Sequence, residues 1–158
     1  MKALTLTQPW ATLMAILAKR IETRSWKTSY TGELAIHAAK GMPVRARRII
    51  YEEPFYSVLV GAGYLGTARM LTLPRGCIVA TVRLVVCRPT VGMLFPPGSL
   101  EPAFGDFTPG RWAWITKDLC PLPEPIPAQG ALGLWEWIPP QGYEYVIDKG
   151  DRDCDGLR

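Results

Sequence analysis

Over the N-terminal part of the chain the apolar residues change period twice. Residues 3–6 (ALTL) read as a short strand. Trp10, Leu13, Met14 and Leu17 then recur at i, i+3, i+4 and i+7, which is one apolar helical face. Pro9 is expected at the first helical position, where an N–H would have no intrahelical acceptor anyway. Lys19 and Arg20 are expected at the end of that helix, where the dipole favours cations. From Arg20 the period becomes two. Ile21, Thr23 and Ser25 point one way, and Arg20, Glu22, Arg24 and Trp26 point the other.

After a turn at Thr31-Gly32, residues 33–38 predict a second strand, with Leu34 and Ile36 inward and His37 on the opposite face. A helix starting near Pro43 carries Arg45, Arg47 and Arg48 and is broken by Pro54. Residues 57–76 show no decisive period, and Gly61, Gly63 and Gly66 mark a loop. CIVATVRLVVC, residues 77–87, is the clearest strand, rich in β-branched residues and bounded by Pro-Arg-Gly and Arg-Pro. A long Pro/Gly-rich connection, residues 88–110, leads into RWAWIT, where Trp112 and Trp114 share a strand face and at least one belongs to the core. PLPEPIPAQG reads as extended and turn-rich, and residues 132–137 as the last strand. Many strands, two or three helices and no regular βαβ alternation predict an α+β fold with a mostly antiparallel, barrel-like sheet.

Composition adds limits. The 158 residues make one domain, expected over 1–138, with a polar, weakly anchored tail at 139–158. Hydrophobic residues at 48% against 20% charged describe a folded chain. No apolar run approaches the roughly 20 residues of a membrane span, and MKALTLTQPW lacks the apolar core of a signal peptide. A cytoplasmic location is the expectation. Cys77, Cys87, Cys120 and Cys154 form no CxxC pair and stand with a single histidine, which gives no metal pattern and suggests reduced thiols. No cofactor is indicated. DRDCDG, residues 151–156, matches the first half of an EF-hand loop, but the closing glutamate and flanking helices are missing, so chance explains it.

Charge points to a partner. Between residues 18 and 48 eight basic side chains face two acidic ones, while the whole chain carries only +4. A basic segment on a near-neutral body suits a polyanion. Within AKRIETRSWKT, Glu22 and Arg24 project on one strand face about 7 Å apart. A carboxylate there can accept from the exocyclic amine of a base, and a guanidinium can grip phosphate. Trp26 offers a stacking surface. Lys19 can reach a phosphate or, if desolvated, act as a base. The competing arrangement is a Glu22–Arg24 ion pair with Trp26 in the core. Gln8 and Trp10 sit at a helix start, where an N-terminus can bind an anion, although Trp10 also fits helix–barrel packing. His37 and Lys40, in IHAAK, follow the second strand, and Arg111 stands just after a loop long enough to be functional.

Gln8-Pro9-Trp10, the K-x-x-E-x-R of Lys19, Glu22 and Arg24, and Trp26, together with the later RWAWIT and ALGLWEW, resemble the ASCH domain (activating-signal-cointegrator homology) family of the PUA-like superfamily. The resemblance runs from about Leu4 to Trp137. It implies a small β-barrel flanked by helices, with a cleft for RNA, a nucleotide or a modified nucleoside. One branch resembles an amidohydrolase that deacetylates N4-acetylcytidine with a lysine, a threonine nucleophile and a glutamate. Lys19 and Glu22 stand at the lysine and threonine positions, so a carboxylate replaces the nucleophile. Glu22 would then act as a general base on water, with Glu101 the candidate acid by order along the chain. Thr23 is adjacent but faces the other side of the strand. Metal-independent ribonuclease chemistry with Lys19 and His37 is the other enzymatic reading. A protein-interaction module without ligand chemistry is a third. Binding comes before chemistry among these expectations.

Overall fold

In the computed structural model, which describes residues 1–65, 72–141 and 143, six strands form one sheet. They are β1 (Lys2–Leu6), β2 (Ile21–Arg24), β3 (Gly32–Ala38), β4 (Cys77–Pro89), β5 (Trp112–Pro127) and β6 (Leu134–Glu136), in the order β2-β5-β4-β3-β1-β6. Only β1 and β3 run parallel; every other neighbouring pair is antiparallel. Three strands separate β2 from β1 in the sheet, yet Arg24 Nη2 donates to the Thr5 carbonyl at 2.9 Å. The sheet therefore curls into a half-barrel, the α+β architecture expected from the sequence.

Alternation along the strands sorts two faces. Leu4, Leu6, Leu34, Ile36, Val82, Leu84 and Trp114 fill the inside of the curl with Met14. Ala3, Ala35, Ile78, Leu122 and Trp137 pack on the outside. A third cluster lies among the helices α1 (Trp10–Ala15), α2 (Val44–Ile49), α3 (Phe55–Gly61) and α4 (Glu101–Phe104), and joins Leu13 to Ile50, Phe55, Leu59 and Phe104. None of these helices is long and apolar enough to cross a membrane.

Four features differ from the sequence-based expectations. The first helix is shorter: Pro9 is its N-cap, and Leu17, at φ 64, takes the left-handed conformation and turns outward. Lys19 and Arg20 consequently lie beyond the helix, in the connection to β2. Its apolar stripe is real but stops at Met14, because the chain must reverse to enter β2. The stretch with no decisive period begins inside α3, whose Phe55 and Leu59 are buried at i, i+4; Pro54 caps it and Gly63, at φ 78, follows it. The long connection after β4 contains α4. PLPEPIP is extended, as read from the sequence, but without turns: it is the second half of β5, paired with β4 from Ala80↔Pro121 to Cys77↔Pro127. β2 reaches only Trp112 to Ile115 on the other side of β5, so Pro121, Pro123, Pro125 and Pro127 remove donors from a stretch with one unpaired flank.

The tail's EF-hand-like DRDCDG and Cys154 lie outside the described residues. Tyr143, before them, rests its ring on Trp137 at 5.8 Å. Cys77 and Cys87 are free thiols.

Candidate nucleic-acid interface

Cross-strand pairing sets the first cluster. Glu22 stands opposite Trp114 and Arg24 opposite Trp112, so both carboxylate and guanidinium face the inside of the curl. Glu22 sits between two cations, with Lys19 Nζ at 3.5 Å and Arg24 Nε at 3.2 Å. Lys19 is wholly buried and also donates to the Ile21 carbonyl, while Glu22 and Arg24 keep 12% and 25% of their side-chain surface. The alternation read from the sequence holds here: Thr23 points to the opposite face, where its hydroxyl accepts from the Asp106 N–H at 3.0 Å. Trp26 meets Trp114 edge to face at 4.6 Å, so the ring expected as a stacking platform is half committed to the core.

Glu101 joins this cluster from α4. Its carboxylate accepts the N–H groups of Arg20 and Ile21, which caps the entry to β2. Burial raises its pKa, partly offset by those N–H groups and by the charges of Lys19 and Arg20.

A second cluster lies on the outer face, back to back with the first across β1. Thr5 links them. Its carbonyl holds Arg24, while its hydroxyl donates to the Ala131 carbonyl at 2.9 Å and accepts from Trp135 Nε1 at 3.1 Å. Next to it on β3, His37 is 2% exposed and stacks edge-on against Trp135 at 5.6 Å. His37 Nε2–H donates to the Ala128 carbonyl at 3.1 Å, which leaves Nδ1 a buried acceptor with no donor. The segment after β5 lies over this ring so closely that a Cβ at Gly130 would overlap it and come within 2.9 Å of Thr5 Oγ1. Burial lowers the His37 pKa, against a smaller opposing effect of the Ala128 hydrogen bond.

Around them opens a cavity of about 890 Å³, bounded by Thr5, His37, Lys40, Arg75 and residues 127–132. Lys40 and Arg75 are exposed, no carboxylate lines the cavity, and no carboxylate among the described residues pairs with either cation. His37, with its lowered pKa, contributes an uncharged ring at neutral pH. Lys40 and Arg75 supply the charge.

The remaining predicted site residues are held elsewhere. Gln8 is buried with both ends of its amide engaged: Nε2 donates to the Pro74 carbonyl at 2.6 Å and Oε1 accepts the Thr12 N–H at 3.1 Å. Trp10 packs edge-on against Phe55 at 6.0 Å, the packing role. Arg111 is on the Thr23 side of β2, with Nε 3.2 Å from Asp106 and Nη2 donating to the Thr23 carbonyl at 3.3 Å. It does not converge with Glu22 and Arg24, because its strand register turns it to the outer face. Hydrogen bonds from Thr108, then the charges of Arg111 and Arg45, hold the Asp106 carboxyl below its usual range. Trp112 carries Lys27 over its ring at 5.3 Å. Arg75 and Thr5 were missed; Arg75 stands in Pro-Arg-Gly, a signal read only as strand punctuation. Among the described residues no group of three or more His, Cys, Asp or Glu could hold a metal ion.

A curled, mostly antiparallel sheet flanked by short helices is a PUA-like domain. The ASCH domain family model matches residues 4–94, more than half of the chain, and the protein belongs to that family. The family is generally thought to bind RNA. Comparison with curated proteins gave no match.

Proposed function

We propose that this domain binds RNA, with the cavity beside β1 and β3 as its site. The observation that carries the reading is the pair Lys40 and Arg75, exposed at a recess of about 890 Å³ that no carboxylate among the described residues lines. Cations left without partners at a concave surface suit phosphate. The apolar surfaces of Pro127, Ala128 and Leu132 beside them suit a base. Arg24 and Glu22 support the site from behind, through the Thr5 carbonyl. This moves the anion contacts from Lys19 and Arg111, which are engaged within the protein, to Lys40 and Arg75.

The test is fluorescence anisotropy with labelled hexauridylate. Lys40→Ala is expected to weaken binding about tenfold, equivalent to about 1.4 kcal/mol, with an unchanged thermal melt. Binding equal to that of the wild type would remove Lys40 and this cavity from the reading.

The hydrolase reading would need Lys19 to reach a substrate, and its side chain is fully covered. Turnover of N4-acetylcytidine that disappears in Glu22→Gln would restore it.

A further inference from the structure

A second, smaller cavity of about 390 Å³ adjoins the first and is bounded by Met42, Arg47, Leu73 and Arg75. Arg75 lines both. Lys40 lines the first and Arg47 the second, and again no carboxylate among the described residues lines the recess.

The mount of Arg75 is unusually well fixed. The Pro74 carbonyl before it accepts from buried Gln8 at 2.6 Å. Gly76 after it, at φ 66, donates to the Ala38 carbonyl at 2.8 Å and accepts from the Ala128 N–H at 3.0 Å. An exposed arginine whose backbone is tied on both sides loses less freedom when it grips a ligand. Arg47 is steadied too: its Nε donates to the Met42 carbonyl at 2.9 Å, and the residue is exposed. Arg48, on the same helix, lines neither cavity.

We propose that Lys40, Arg75 and Arg47 form a phosphate track for single-stranded RNA longer than one nucleotide, with Arg75 as its shared central contact and Gln8 as the residue that positions it. The inference rests on the RNA reading above and adds the ligand's length and form. A row of cations along connected recesses follows a backbone, as in grooves that bind single strands. The apolar wall at Pro127, Ala128 and Leu132 receives bases that a duplex would keep paired and inaccessible.

The experiment compares labelled hexauridylate, diuridylate and a hexamer duplex on the whole chain, over a series of salt concentrations. Arg47→Ala is expected to weaken hexauridylate severalfold, to leave diuridylate unchanged, and to make the slope of log K against log salt shallower by about 0.7. Arg75→Ala is expected to weaken both single strands. Arg48→Ala removes the same charge from the same helix and should leave the slope unchanged. If Arg47→Ala behaves as Arg48→Ala while Lys40→Ala still weakens binding, the track is overturned and the RNA reading stands. A duplex bound as tightly as the single strand overturns the single-strand assignment. A wild-type chain that binds none of the three overturns both proposals.

Discussion

His37 is the only histidine in the chain, so its titration can be followed without assignment. Its pKa lies below the ordinary 6.5 because the ring is buried, and protonated Nδ1 would find no acceptor. Between the unfolded value and the lower folded one, the unfolded chain binds more protons, so stability rises with pH there. The expected result is an imidazole resonance with a midpoint below 6.5 and a melting temperature that falls on acidification from pH 6.5. His37→Gln should flatten that fall. A midpoint at or above 6.5 would contradict the buried, neutral ring. Glu22 makes the second residue-scale case. Glu22→Ala leaves the wholly buried Lys19 ammonium without its nearest carboxylate, a change that costs on the order of 3 kcal/mol in such settings. Lys19→Met, which removes the buried charge itself and leaves Glu22 paired with Arg24, should cost less in chemical denaturation. The reverse order would show that the ion pair does not govern this corner.

At the scale of elements, Glu101 ties α4 to the start of β2 through two backbone N–H groups. Glu101→Ala should accelerate hydrogen exchange at Arg20 and Ile21 and cost about 1 kcal/mol, the net worth of a typical hydrogen bond. Unchanged exchange would mean that β2 is held by β5 alone. Glu101 also shows where sequence reasoning works and where it runs out. Period-two alternation placed Glu22 and Arg24 on one face and Thr23 on the other, because strand geometry is local. The stripe of Trp10, Leu13 and Met14 located α1 for the same reason. Which face lies inside the curl, and what Arg24 meets there, depend on β1, three strands away in the sheet. Arg75 was illegible as a site residue because its cavity is assembled from β3 and the segment after β5, far apart in the chain. The helix α3 was hidden by its shortness and its glycines, and β5 by prolines that normally signal an end to a strand.

For the whole molecule, the curl separates two kinds of charge. The inner group, Lys19, Glu22 and Arg24, is internally paired, two cations on one carboxylate, and braces the closure between β2 and β1. The outer cations, Lys40 and Arg75, have no carboxylate partner among the described residues, and they are the contacts proposed for RNA. The motif that carries the family resemblance thus includes the contact that closes the curl, and the proposed contact surface lies on the far side of β1. A half-barrel, unlike a closed one, leaves strand borders open, and among the described residues the second half of β5 pairs with β4 alone. An open border is a template on which another chain can add a strand and begin to aggregate. Prolines at every second position from 121 to 127 make this one a poor template, since residues two apart turn their backbone to the same side and prolines facing an open border offer no donors there. The same composition that disguised the strand in the sequence therefore guards the domain's solubility while its sheet stays unclosed.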